Sequence, residues 1–317
     1  MIIIRLMGGL GNQLQQYALY RRLVAEGISA KIDLSWFNID NQKNMLAPRK
    51  IELDKIRGVK YEVATQRECD ELTGGEGLAG KIKRHFFTGL IKSEDENGRD
   101  YLDDVMDNII KRRAVKDLYL SGYFAAEKYY FDILPLLRNE IKLFDEINNN
   151  SSEMTRITND MKEYDAIAVH IRRGDYLAPE NYKEFGNICT EKYYESAIAY
   201  VIEETSKPKL YFFSDDIEYV EKFNHDLVDK YSELETQIVD INKGENSYLD
   251  IYLMSQCKHN IAANSTFSFW GARLTANEDK IMIRPTIHRN TQEFDEKRMK
   301  DLWKGWILIS PEGIMYK

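Results

Sequence analysis

The sequence predicts an α/β protein made of two Rossmann-like domains facing each other across a cleft. Three observations carry that expectation. A strand, a glycine turn, a helix and a second strand open the chain; strands and helices alternate through its second half; and a very polar stretch, Asn148-Asn149-Asn150-Ser151-Ser152, separates the two. Repeated βα units require a parallel sheet covered on both faces. At ~100–200 residues per domain, the 317 residues suffice for two. The boundary is placed between residues 150 and 151, and the C-terminal tail is expected to pack back on the first domain.

The elements follow in order. Residues 2–7 form a short β-branched run ended by Gly8-Gly9-Leu10-Gly11, which reads as a buried strand. Leu14, Tyr17, Ala18, Leu19, Leu23 and Val24 then recur at helical spacing up to Gly27, and residues 30–34 make a second strand. Residues 73–100 carry Gly74, Gly75, Gly77, Gly80, Gly89 and Gly98 and the basic cluster Lys81, Lys83, Arg84, His85 beside Phe86 and Phe87. This stretch reads as a mobile insertion, either a solvated excursion or a surface for an anionic lipid or acceptor. Residues 116–123 read as a strand and the stretch through Phe144 as helical. Beyond the boundary, strands are expected at 166–171, 209–213, 237–240, 260–263 and 280–283. Helices are expected at 191–204, around 219–223, at 248–256 and at 266–276. In open α/β sheets ligands bind at the carboxyl ends of strands, so the residues just after the strands are the ones to read for chemistry.

Composition narrows the function. The formal charge is 44 − 52 = −8, a poor basis for general nucleic-acid binding, which needs clustered Lys and Arg. Cys69, Cys189 and Cys257 are widely spaced, without a Cys-x-x-Cys, so neither a disulfide framework nor a zinc cage is expected. The opening apolar run is too short for a signal peptide, and no run of ~18 apolar residues appears. A soluble cytoplasmic protein is the expectation.

Four segments sit where chemistry belongs. His170-Ile171-Arg172-Arg173-Gly174-Asp175-Tyr176 ends one strand; a guanidinium fork there suits a phosphate, unless it merely pairs with Asp175. Asn264-Ser265-Thr266-Phe267-Ser268 opens a helix, either as an ordinary cap or as an anion site at its positive end. Asp215 and Asp216 end a third strand, suited to a guanine edge, a ribose or a divalent metal, although no further ligands cluster beside them. Gly9-x-Gly11 with Asp33 partly matches a dinucleotide fingerprint, which makes a nicotinamide-dependent oxidoreductase the rival reading. Leu14 stands where the third glycine belongs, and Asn12 and Gln13 offer amides to a sugar or phosphate. No P-loop, zincin or Gly-x-Ser-x-Gly pattern occurs.

Taken together, Gly8-Gly9-Leu10-Gly11-Asn12-Gln13-Leu14, His170 to Tyr176 and Asn264-Ser265-Thr266-Phe267-Ser268-Phe269-Trp270-Gly271-Ala272 resemble the signature set of the α-1,2-fucosyltransferases, glycosyltransferase family 11. Gly122-Tyr123-Phe124 with Glu127-Lys128-Tyr129 resembles a further family stretch. Gln15, Ala125, Ala126 and Phe269 depart from the usual pattern. The resemblance implies a GT-B fold, GDP-L-fucose as donor, inversion at the fucose, and no metal or other cofactor. It implies that Arg172 binds the β-phosphate and stabilises the leaving group, and that His170 lies against the nucleotide. Asp215 or Asp216 would read the guanine or ribose, while Asn264, Ser265, Thr266, Phe267 and Ser268 complete the cradle. Gly9, Gly11, Asn12 and Gln13 would approach the fucose, and Tyr123 and Glu127 would lie on the acceptor side. No base is assigned; Asp175 is the nearest motif carboxylate. The implied acceptor is the 2-hydroxyl of a terminal galactoside, such as a lipid-carrier-linked surface-polysaccharide unit of a bacterium. That would place the enzyme at the inner face of the cytoplasmic membrane, with a weak peripheral contact through the basic cluster. A non-catalytic sugar-nucleotide-binding protein is the third reading.

Overall fold

A computed structural model describes residues 1–43, 48–75, 91–114, 116–144 and 151–317. The chain divides into two compact units, Met1–Lys142 and Leu143–Lys317. This division falls a few residues before the polar stretch, because Leu143 and Phe144 belong with the second unit: Phe144 stacks on Tyr252 with centroids 4.8 Å apart.

In the first unit, β1 (Ile2–Arg5), β2 (Ala30–Asp33), β3 (Ser93–Asp95) and β4 (Leu118–Ser121) form a parallel sheet in the order β2-β1-β4-β3. Ile2, Ile3 and Ile4 are fully buried, as a β-branched run in a two-sided sheet should be. The helix Leu10–Ala25 makes the β1–β2 crossover. β3 corrects the reading of 73–100 as an insertion, since this segment supplies an edge strand of the sheet. The basic cluster from Lys81 to Phe87 lies outside the described residues, as does the remainder of that reading. The helix expected up to Phe144 is instead two 3₁₀ turns, Glu127–Tyr129 and Phe131–Ile133, followed by the helix Leu134–Glu140.

In the second unit, β5 (Asp165–Ile171), β6 (Pro208–Ser214), β7 (Glu235–Val239), β8 (His259–Ile261), β9 (Met282–Pro285), β10 (Trp306–Ile309) and β11 (Met315–Tyr316) are ordered β11-β10-β9-β8-β5-β6-β7. All neighbours run parallel except β10 and β11. Ile167, Val169 and Ile171 point one way, into a core with Tyr194, Ile198 and Val201 of the helix Glu191–Glu203. Alternation sends Ala166, Ala168 and His170 to the other face. β11 corrects the expectation for the tail, which turns back on its own unit. Leu308 pairs with Tyr316, the Phe294 and Tyr316 rings lie 4.9 Å apart, and the Lys317 ammonium sits over Tyr200.

Among the described residues no helix is long and apolar enough to cross a membrane, and no group of three or more His, Cys, Asp or Glu side chains is placed to hold a metal ion.

Candidate active site

In the second unit the chain runs outward from β5 to β6 and β7, then returns to place β8 on the other side of β5. That reversal is a topological switch point, whose crevice opens at the carboxyl ends of β5 and β8. The sequence delivers His170 and Arg172 to one lip and Asn264 to Ser268 to the other.

Arg172 is partly buried and held from two sides: Nη2 pairs with Asp175 at 2.7 Å and Nη1 with Asp215 at 2.9 Å. Arg173 is turned away, its Nε on Asp216 at 2.9 Å and its guanidinium stacked over Tyr219 at 3.7 Å. Asp215 Oδ1 also accepts the Arg173 backbone N–H at 2.9 Å. Glycine at 174 lets Asp215 approach closely, since a Cβ there would lie 2.5 Å from Asp215 Oδ2 and displace that carboxylate. Asp216 caps the helix Ile217–Lys230 by accepting from the Tyr219 N–H. Both carboxylates expected to read guanine or ribose therefore act first as anchors of the arginines. Among the expected partners, Asp175 and Asp215 share Arg172.

His170 is 6% exposed, with its ring 5.8 Å from that of Phe267. Burial, reinforced by the Arg172 charge, pushes its pKa down to about 4, so the imidazole is neutral at physiological pH. Tyr194 donates to the His170 carbonyl and fixes the end of the strand.

On the other lip, Ser265 precedes the helix Thr266–Leu274 and its side chain makes no capping bond. First-turn N–H groups at such a start carry the partial positive charge of the helix. Asn264 is 2% exposed, and its amide donates to the carbonyls of Phe185 and His288. The Ser268 hydroxyl donates to the carbonyls of Ser265 and Ala263. Asn264 and Ser268 thus brace the cradle from within, both almost fully buried. Thr266 and Phe267 are partly exposed at its mouth. Tyr176 donates to the Asn264 carbonyl at 3.1 Å and ties the two lips together.

The glycine turn of the first unit behaves differently. The N–H of Leu10, at the start of its helix, donates to Glu52 Oε2 at 3.0 Å. A carboxylate of the chain itself thus takes the place where a dinucleotide pyrophosphate would bind. Gln13 is fully buried; its amide donates to the carbonyls of Gly8 and Lys50 and accepts from the N–H groups of Glu52 and Leu53. In this structure it staples the loop after the turn to the helix start. Gly8 has φ +80°, and Asn12 packs against it; Asn12 and Gly9 are partly exposed, whereas Gly11 is buried. Asp33, the acid of the rival reading, is 4% exposed and accepts from Ser35 and from the Tyr119 hydroxyl at 2.6 Å. Tyr123 is 48% exposed, whereas Glu127 is buried at 1%, so only the tyrosine of the expected acceptor pair reaches the surface.

One carboxyl escaped the sequence reading. Asp250, in the first turn of the helix Leu249–Gln256 beyond β7, accepts from Asn242 at 2.8 Å. Burial, with Asp240 adding to it, raises its pKa to about 7. A first-turn aspartate is ordinarily an exposed helix stabiliser; its neighbour in an otherwise apolar Tyr248-Leu249-Asp250-Ile251 run was the available signal.

The model of the family described as "Glycosyl transferase family 11" matches residues 80–310, more than half of the chain. The chain belongs to glycosyl transferase family 11. This glycosyltransferase is 29% identical over 293 residues to an alpha-1,2-colitosyltransferase of Escherichia coli, covering 90% of this chain and 91% of that one. It is 29% identical over 305 residues to the O-antigen biosynthesis glycosyltransferase WbnK of Escherichia coli, covering 88% and 92%. Against galactoside alpha-(1,2)-fucosyltransferase 2 of Oryctolagus cuniculus the identity is 25% over 186 residues, 56% of this chain and 49% of that one. A solved mutant of Arabidopsis thaliana FUT1 in complex with GDP aligns with a TM-score of 0.44 and 12% identity, over 90% of this chain and 71% of that one. Membership of the family removes the oxidoreductase reading, in keeping with the glycine turn already closed by Glu52.

Proposed function

We propose that this glycosyltransferase moves L-fucose from GDP-β-L-fucose to the 2-hydroxyl of a terminal galactoside, with inversion and without a metal ion. The observation that carries the reading is the pairing, at one switch point, of the Arg172 fork with the start of the helix Thr266–Leu274, which the Ser265 side chain does not cap. As the glycosidic bond breaks, negative charge grows on the diphosphate. A guanidinium and oriented N–H groups aimed at that charge favour the transition state over the ground state. Asp175 and Asp215 preorganise Arg172, and the donor phosphate takes over part of their hold on it. The neutral His170 adds no second cation and offers its ring to the nucleotide. The remaining lone pairs of Asp215 serve the ribose.

The acceptor oxygen attacks from the face opposite the departing diphosphate, which inverts the fucose. The O-antigen biosynthesis glycosyltransferase WbnK supports a surface-polysaccharide acceptor; the inner face of the cytoplasmic membrane is our proposal for where it is met. The alpha-1,2-colitosyltransferase favours one alternative, colitose in place of fucose in an α-1,2 linkage.

The test is a ligand panel in EDTA. GDP should raise the melting temperature, and GDP-fucose with β-1,3- and β-1,4-galactosides should give an α-1,2-linked product. Transfer from GDP-colitose with none from GDP-fucose selects the colitosyl alternative. Nucleotide binding with neither transfer nor hydrolysis would leave a binding protein.

A further inference from the structure

The first unit has a switch point of its own, at the carboxyl ends of β1 and β4, where the chain passes from β2 on one side to β3 and β4 on the other. The segment leaving β4 there is Gly122-Tyr123-Phe124, and its conformation is heavily constrained. Phe124 is fully buried with φ +49°, a left-handed backbone that a bulky residue rarely adopts. Glu96, just past β3 and 7% exposed, receives the N–H groups of both Tyr123 and Phe124 on Oε2, each at 2.9 Å. Its Oε1 accepts from the Tyr129 hydroxyl at 3.0 Å. Gln16, fully buried, accepts from the Met7 N–H and donates to the Gly122 carbonyl, each at 2.9 Å, so it ties the end of β1 to the end of β4. A Cβ on Gly122 would meet Glu96 at 2.6 Å.

A buried carboxylate, a buried amide and a strained phenylalanine thus converge on one turn, and that turn carries Tyr123, a residue that is 48% exposed. Strain maintained by its surroundings points to function, and a tyrosine offers an apolar face with a polar tip. We propose that Glu96 is the positioning residue for acceptor binding: with Gln16 it locks the turn that holds the Tyr123 ring as a platform for a pyranose of the acceptor glycan. This deepens the transferase reading and rests on it for the identity of the acceptor. The carboxylate suits the task because one oxygen accepts two successive N–H groups while the other anchors Tyr129. An amide side chain there keeps an accepting oxygen but brings N–H donors to the second position, and alanine keeps neither.

The experiment uses the full chain with two probes, the disaccharides Galβ1-3GlcNAc and Galβ1-4GlcNAc. Binding is read by saturation-transfer NMR and transfer from GDP-fucose by steady-state kinetics. Tyr123→Ala should raise the acceptor KM about tenfold or more, with kcat less affected and the GDP-induced melting shift unchanged. Tyr123→Phe should stay within about twofold of wild type, because it keeps the ring. Glu96→Ala should show the same acceptor-specific loss, partly restored in Glu96→Gln. Should Glu96→Ala fail to fold, Tyr123→Ala, at an exposed position, still decides. An acceptor KM unchanged in Tyr123→Ala, or a wild type that binds neither disaccharide, overturns the proposal. Disaccharide binding that Tyr123→Ala abolishes, in a protein that transfers nothing from GDP-fucose, upholds it and rejects the fucosyl reading instead.

Discussion

The two units repeat one local design, a strand followed by a turn and a helix start beside a switch point, and they use it for opposite ends. In the first unit the glycine turn is closed from within: Glu52 meets the helix start at Leu10, and Gln13 has its donors and acceptor engaged by backbone. In the second unit Ser265 leaves the helix start without a side-chain cap, and Arg172 stands at the neighbouring strand end. A glycine-rich turn is therefore not an anion site by its spacing alone. What decides is whether the chain has already placed a carboxylate there.

The largest effect should come from the site of the second unit. Arg172→Ala is expected to cost about 3–4 kcal/mol of barrier, as when a preorganised donor is removed. Arg172→Lys should not restore it, because a point charge lacks the fork that bridges Asp175 and Asp215. Turnover with GDP-fucose by the folded variants checks this, and near-normal rates would erase the contrast between the units.

A second effect concerns pH. Asp250 is raised to about 7, above the ordinary carboxyl value near ~4. Between those values the folded state keeps a proton that the unfolded chain has lost, so this group makes stability fall as pH rises through that window. Denaturant unfolding at pH 5 and pH 8 should show a steeper loss in wild type than in Asp250→Asn; equal slopes would mean that Asp250 titrates normally.

Gln13→Ala should act on stability rather than on the donor. It strands buried backbone groups, at about 1–3 kcal/mol, with the KM for GDP-fucose unchanged in the folded fraction. A raised donor KM at unchanged stability would return Gln13 to the site. The smallest effect is expected for Glu52→Gln, about 0.3–1 kcal/mol of lost helix-start stabilisation, with no gain of NAD binding. A gain would mean that the carboxylate alone keeps the dinucleotide out.

Much of the second unit was legible because its signals are local. β5, β6 and β8 are short apolar runs followed by polar motifs, so the strand ends, and with them His170, Arg172 and Ser265, could be placed from spacing. β3 was not legible: Ser93-Glu94-Asp95 has no apolar alternation and becomes a strand only by pairing with β4. Glu52, which engages both Gln13 and Leu10, lies about forty positions away in the chain, beyond any local pattern. The same holds for Glu96, whose meaning appears only when β3 brings it beside Gly122. The amides at 12 and 13 looked alike as letters; the fold leaves Asn12 partly exposed and buries Gln13.

The central claim is that the nucleotide diphosphate sits at the carboxyl ends of β5 and β8 and not at the glycine turn after β1. Hydrogen–deuterium exchange with and without GDP, in EDTA, tests it most directly. Exchange should slow across residues 170–176 and 264–270, an effect lost in Arg172→Ala, with residues 7–14 unchanged. Protection confined to residues 7–14, with none at 170–176, would contradict it.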